Sequence, residues 1–203
     1  MPLLFRGYTP AQNMSAFSIL PNRIITMAER KPRRLEAGEL WDYALRVLAG
    51  RACSTGEVRE KLRRRAARAG DVDETLARLK DCGYLDDRRF AEGFAAARLS
   101  GDGFGRARVV RDLRARRVAP SLAETAAKRA YEGVDESALI DDFIRRKYRL
   151  AERGGLFQTD RDMANAYARL LRAGFRSGEI VKALKKFAKN PDLLDAFEPP
   201  EEE

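Results

Sequence analysis

Positively charged side chains cluster in two segments of this 203-residue chain, and phosphate binding is the chemistry that such clusters favour. The first segment carries Arg59, Lys61, Arg63, Arg64, Arg65 and Arg68. The second carries Arg106, Arg108, Arg111, Arg114, Arg116 and Arg117. Like charges at this density repel one another unless an anion neutralises them, as a nucleic-acid backbone does by releasing its counterions. The predicted partner contacts are the first six together with Arg98, Arg108, Arg111, Arg114 and Arg116. The alternative is a solvated helix face.

Asp86 and Asp87 are a pair of neighbouring carboxylates that invites a catalytic interpretation. Such a pair can hold a metal ion or exchange protons, but here it immediately precedes a predicted helix that opens at Arg88. An aspartate at that place accepts hydrogen bonds from free backbone N–H groups, and its charge favours the positive end of the helix dipole. We therefore predict a structural connector of Gly83, Tyr84, Asp86 and Asp87, with Tyr84 packed at the junction rather than stacked on a base.

The composition excludes several classes of enzyme site. The chain has no histidine, which removes a histidine general base, a histidine-activated nucleophile and a histidine metal site. The Gly101 to Gly105 run lacks the preceding strand and the Lys-Ser or Lys-Thr pair of a nucleotide-binding loop. Cys53 and Cys82 indicate neither a zinc cluster nor a disulfide framework, and we expect both to be small buried thiols. We therefore predict no catalytic residue, metal site or cofactor.

The overall charge also favours an acidic partner. The chain has 40 Lys and Arg against 31 Asp and Glu, a net charge of +9 and a pI near 9.8. Nucleic acid is the commonest partner of so basic a protein. No stretch approaches the roughly 20 apolar residues that a membrane span requires. We therefore predict no membrane partner.

Short signals for helix ends and apolar faces position these candidate residues. Ser54 and Glu57 form a capping box, and Val58 and Leu62 follow on one helix face. The same apolar pair recurs 51 residues later as Val109 and Leu113. Gly83 stands where a left-handed residue would end a helix. Two further capping boxes are predicted, one at Asp71 and Glu74 and one at Ser121 and Glu124.

This recurrence predicts an all-α fold in which three three-helix repeats form a tandem, elongated and curved array. No segment alternates apolar and polar residues as a half-buried strand does for more than a few residues. We predict repeats at 37–87, 88–136 and 137–189. Residues 1–36 are predicted to be a disordered leader or an over-extended reading frame with its true start at Met27, and residues 190–203 an acidic disordered tail.

Several of these signals together resemble the RecX family. They are Arg51-x-x-Ser54-x-x-Glu57, then Gly83-Tyr84-Leu85-Asp86-Asp87-x-x-Phe90-Ala91, and later Leu170-Leu171-Arg172-Ala173-Gly174-Phe175. Each piece is common in helical proteins, but their order and spacing make the resemblance specific over about residues 38 to 188. The chain departs from the family where a glycine and an isoleucine usually close the second helix of the middle repeat. Arg117 and Val118 stand there instead.

The resemblance implies a cytoplasmic regulator of the RecA recombinase that is not itself an enzyme. Such a protein binds RecA and its filament on single-stranded DNA, and inhibits recombinase, ATPase and co-protease activities in recombinational repair and the SOS response. Double-stranded DNA is left open as a further partner, and a monomer is expected. The alternative from another class is a sequence-independent DNA-binding helical-repeat protein without a recombinase partner.

Overall fold

The computed structural model describes residues 33–148 and 159–187, and these ranges form an all-α fold. The helices are α1 Ala37–Gly50, α2 Thr55–Arg63, α3 Ala69–Asp81, α4 Asp87–Ala97, α5 Arg106–Ala115, α6 Pro120–Ala130, α7 Glu136–Lys147, α8 Asp160–Arg172 and α9 Ser177–Phe187. A π-helical turn, Arg98–Asp102, follows α4. Within the described ranges the one β interaction is an isolated bridge between Leu35 and Ala66. The predictions for Met27 and for residues 190–203 lie outside these ranges.

Three apolar clusters hold the helices together in groups of three. The first, from α1 to α3, buries Leu40, Val58, Leu62, Leu76 and Leu79. The second, from α4 to α6, buries Ala91, Ala95, Val109, Leu113 and Ala127. The third, from α7 to α9, buries Ile140, Met163, Tyr167, Leu170 and Leu184. These are the positions at three- and four-residue spacing, because one face of each helix meets its two neighbours. The predicted all-α helical-repeat fold is confirmed.

The predicted capping boxes do not all form. In the box at the start of α2, the Ser54 hydroxyl accepts from the Glu57 N–H at 3.1 Å, and the Ser54 N–H donates to the Glu57 carboxylate at 3.2 Å. The boxes predicted at Asp71 and at Ser121 are wrong, since α3 already begins at Ala69 and α6 at Pro120. Proline suits the first helical position because its φ is preset, so it starts α6 before the serine can cap it.

Three helices end with the same pair of backbone hydrogen bonds, in which the last turn closes on a left-handed residue. Gly83 ends α3 with φ of 72°, as predicted, and Gly174 ends α8 with φ of 89°. Arg117 holds this place at the end of α5 with φ of 59°. Its N–H donates to the Arg114 carbonyl at 2.8 Å, and the next N–H donates to the Leu113 carbonyl at 3.1 Å. The residue that departs from the family pattern thus occupies a position that favours glycine.

Replacing Arg117 by glycine is expected to raise the free energy of unfolding by about 0.5–1 kcal/mol, because glycine adopts a left-handed backbone without steric strain. The change also removes an exposed ion pair with Glu60 at 3.7 Å, which contributes little. Urea unfolding measures the effect. Arg117→Ala is the control, since it removes the same charge but keeps the strain. Equal midpoints for the two variants would contradict the prediction.

The two cysteines differ in burial. Cys53 is buried in the first apolar cluster, as predicted. Cys82 is exposed, so the prediction for it is wrong. It follows the last residue of α3 and precedes the left-handed Gly83, where the chain has already turned away from the core.

Candidate partner-binding surface

The connector between α3 and α4 uses both of its aspartates to bind backbone N–H groups. The Asp86 carboxylate accepts from the Arg89 N–H at 2.9 Å and so caps α4. The Asp87 carboxylate accepts from the Thr55 N–H at 2.7 Å, at the first residue of α2. The second contact ties the first repeat to the start of the second. The described ranges contain no group of three or more side chains able to hold a metal ion.

Tyr84 packs at this connector along only part of its ring. The ring meets Trp41 edge-on, with centroids 6.4 Å apart and planes at 71°. The Arg78 guanidinium lies 4.0 Å from the centre of the Trp41 ring. Tyr84 is nevertheless 55% exposed, and it is the large apolar side chain that the described residues leave open to solvent. The predicted packing of Tyr84 is therefore partial.

Glu57 lies at the contact between the first two repeats, where the beginning of α2 meets the end of α5. We call this contact, and the corresponding one between the second and third repeats, a joint. Its carboxylate accepts from Arg116 at 2.7 Å and from Arg51 at 3.0 Å, and Arg116 also donates to the Ala52 carbonyl at 2.9 Å. Burial by itself would raise the pKa of Glu57, but the hydrogen bonds from Arg116 and Arg51 outweigh it and lower the pKa. The stability that this carboxylate contributes is therefore present above its ordinary value of 4.5 and is lost as the pH falls below it.

The backbones at this joint are in close contact. The Ser54 hydroxyl donates to the Arg116 carbonyl at the end of α5. The same side chain therefore caps α2 and binds the backbone of α5. A Cβ on Gly56 would lie 2.5 Å from the Cβ of Arg117 and 2.6 Å from its carbonyl oxygen. The beginning of α2 thus rests directly on the end of α5, and any side chain on Gly56 would separate them.

The joint between the second and third repeats is built in the same way. The Gly105 N–H donates to the Ala173 carbonyl at 2.8 Å, and the Ala107 N–H donates to the Gly174 carbonyl at 3.3 Å. A Cβ on Gly105 would overlap the Gly174 carbonyl. The beginning of α5 therefore rests on the end of α8, just as the beginning of α2 rests on the end of α5. The sequence-based predictions did not include this arrangement. The signal for it in the sequence was the glycine that lies beside each of these two helix starts.

The five predicted contacts from Arg98 to Arg116 are largely used inside the protein. Arg116 belongs to the first joint, and Arg108 and Arg111 donate to the Arg172 carbonyl at 3.3 and 2.8 Å in the second. The other two form ion pairs: Arg98 with Asp102 at 2.7 Å and Arg114 with Glu124 at 2.9 Å. Since exposed ion pairs contribute only about 0–1 kcal/mol, Arg98 and Arg114 can still exchange partners. A partner that bound Arg108, Arg111 or Arg116 would have to replace hydrogen bonds that these side chains make between repeats.

The first segment retains uncommitted positive charge. Three of its six cations form no hydrogen bond or ion pair with any described residue, namely Lys61, Arg63 and Arg68. The others contact a neighbour: Arg59 the Asp73 carboxylate at 3.4 Å, Arg64 the Glu60 carboxylate at 2.9 Å, and Arg65 the Tyr43 ring at 5.8 Å. We use the name free basic surface for Lys61, Arg63 and Arg68, which share this lack of a described partner but not one helix face, since Lys61 and Arg63 are two residues apart on α2. An anion could bind these charges without breaking a contact among the described residues.

Comparisons with known proteins decide the family. The model of the RecX first three-helix domain matches residues 41–79, and that of the second matches residues 86–126. Regulatory protein RecX of Syntrophotalea carbinolica is 31% identical over 145 residues, which cover 70% of this chain and 92% of that protein. The chain belongs to the RecX family. RecX of Deinococcus radiodurans is 32% identical over 168 residues, covering 80% of this chain and 77% of its own length.

Solved RecX structures share the fold. The crystal structure of RecX from Lactobacillus salivarius superposes with a TM-score of 0.59 at 18% identity, covering 74% of this chain and 96% of that one. A second crystal structure of a regulatory protein RecX gives a TM-score of 0.56 at 16% identity. The two RecX domain matches fall on α1 to α3 and on α4 to α6. Within the described part of this chain, no helix has the length and apolar character needed to cross a bilayer.

Proposed function

We propose that this protein regulates the RecA recombinase by binding RecA and its filament on single-stranded DNA. Bound there, it restrains recombinase, ATPase and co-protease activities, and so modulates recombinational repair and the SOS response in the cytoplasm. Membership of a family of regulatory proteins supports this role. The observation that supports contact with the filament is the free basic surface, whose cations form no hydrogen bond or ion pair with a residue that the structure describes. The joints support it further, because helices bonded end to end can present one surface to successive sites on a repeating partner.

The experiment that tests this role is a titration into RecA with single-stranded DNA and ATP, measuring ATP hydrolysis. We expect hydrolysis to fall at well under one molecule of the protein per RecA protomer. An excess of free DNA controls for simple coating of the strand. If hydrolysis is unaffected at every ratio, the proposed role is wrong.

The second candidate is a sequence-independent DNA-binding protein without a recombinase partner. The free basic surface favours this candidate as well, because phosphate contacts alone would use Lys61, Arg63 and Arg68. The same titration separates the two candidates. If hydrolysis falls only when the DNA is saturated, the protein acts by covering DNA and the second candidate is correct.

A further inference from the structure

A groove of about 830 Å³ lies between α1 and α4, beside the connector. Its walls include Leu45 and Leu48 from α1 and Phe90 and Phe94 from α4, all of them only partly buried. The exposed Tyr84 stands at its edge. Partly buried leucine, phenylalanine and tyrosine side chains around one open concavity are typical of a site that binds a partner's apolar side chains.

Gly93 leaves space in this groove, but it lowers the stability of the helix in which it lies. It lies inside α4, where glycine is a poorer helix former than alanine. Its φ is not in the left-handed range, and a Cβ built on it would meet no atom within 4 Å. No contact among the described residues therefore requires glycine here. Its effect is to leave room in the groove, whose other side is lined by the small residues Ala49 and Ala52.

The charges around the groove favour a protein segment over a nucleic-acid strand. Asp86 is occupied as the cap of α4, and Arg116 is paired with Glu57. Arg89 lines the groove, and its guanidinium forms no hydrogen bond or ion pair with any described residue. A single uncommitted cation beside apolar walls is complementary to one carboxylate next to bulky apolar side chains. A phosphate backbone would need a row of free cations, which this groove does not offer.

We propose that this groove is the docking site for the protein component of the filament. RecA would insert a bulky apolar side chain between α1 and α4 and place a neighbouring carboxylate against Arg89. This inference rests on the proposed function. It assigns the contact with RecA and the contact with DNA to two different sites on the protein. The groove binds protein, and the free basic surface on the first repeat binds the DNA backbone.

The test fills the groove and measures the two contacts independently. In Gly93→Phe the new side chain occupies the groove, and affinity for RecA in the absence of DNA is expected to fall by about tenfold or more. Affinity for labelled single-stranded DNA is expected to stay the same. Gly70→Phe is the matched control, since Gly70 is exposed near the start of α3 and its Cβ would also meet no atom within 4 Å. Urea unfolding confirms that each variant is folded.

A second variant tests the charge without filling the groove. Arg89→Glu breaks no ion pair within the described ranges, and an acidic residue in the first turn of α4 suits the helix dipole. We expect Arg89→Glu to weaken RecA binding. If RecA placed no carboxylate against residue 89, its affinity for this variant would be unchanged. Unchanged affinity of both Gly93→Phe and Arg89→Glu for RecA overturns the proposal.

Three other outcomes would each lead to a different conclusion. If the unaltered protein does not bind RecA at all, the proposed function itself fails. If Gly93→Phe loses DNA binding and keeps RecA binding, the groove takes nucleic acid and the inference is wrong. If sedimentation shows that the unaltered protein is a dimer and Gly93→Phe is a monomer, the occupant is a second copy, which also overturns it.

Discussion

Replacing both Arg63 and Arg68 by glutamate is expected to lower the affinity for single-stranded DNA by about tenfold or more and to flatten its dependence on salt. Neither side chain holds an internal hydrogen bond or ion pair in the described ranges, so their reversal removes phosphate contacts without disturbing the fold. Each lost contact with a single strand reduces the slope of log K against log salt by about 0.7, or about 1.4 for the pair. Fluorescence anisotropy over a series of salt concentrations measures both quantities.

The matched control reverses two free cations elsewhere. Lys128 on α6 and Arg161 on α8 are exposed and likewise form no hydrogen bond or ion pair with a described residue. Lys128→Glu with Arg161→Glu changes the net charge by the same amount, so any general effect of charge is equal. If the two double variants lose the same affinity and the same slope, DNA binding follows net charge and the free basic surface is not its site.

Gly174→Ala is expected to lower the free energy of unfolding by about 3 kcal/mol by separating the second and third repeats. The left-handed backbone contributes about 1 kcal/mol of strain when the residue has a Cβ. That Cβ would also overlap the backbone of Arg108, so α8 would have to move away from α5. The hydrogen bonds from Gly105 and Ala107 would then be lost, at about 1 kcal/mol each. Urea unfolding measures the loss.

Gly133→Ala isolates the backbone contribution. Gly133 has φ of 74°, close to that of Gly174, but a Cβ on it would meet no atom within 4 Å. Its substitution should therefore cost only the strain, about 1 kcal/mol. A loss at Gly174 no larger than that at Gly133 would mean that the close contact between α5 and α8 contributes nothing to stability.

Local sequence signals predicted helices better than they predicted helix starts. The apolar spacing of Val58 and Leu62, and of Val109 and Leu113, correctly indicated buried helix faces, because helical periodicity depends only on neighbours along the chain. Gly83 correctly indicated a helix end, since a left-handed backbone is a local requirement. The capping boxes were less reliable. Where a helix begins before the predicted serine or aspartate, that residue lies inside the helix and cannot cap its first turn.

The all-α repeat fold and the membership of the RecX family were thus readable from the sequence, as was the strong positive charge. Only the tertiary structure decided which of those charges are free. Arg116 and Glu57 are 59 residues apart in the chain, and the Arg111 side chain binds the carbonyl of a residue 61 positions away. A sequence shows how many cations a helix carries, whereas their pairing depends on which distant carboxylates and carbonyls the packed repeats bring within hydrogen-bond distance. The groove beside Gly93 likewise exists only because α1 and α4 are neighbours in space.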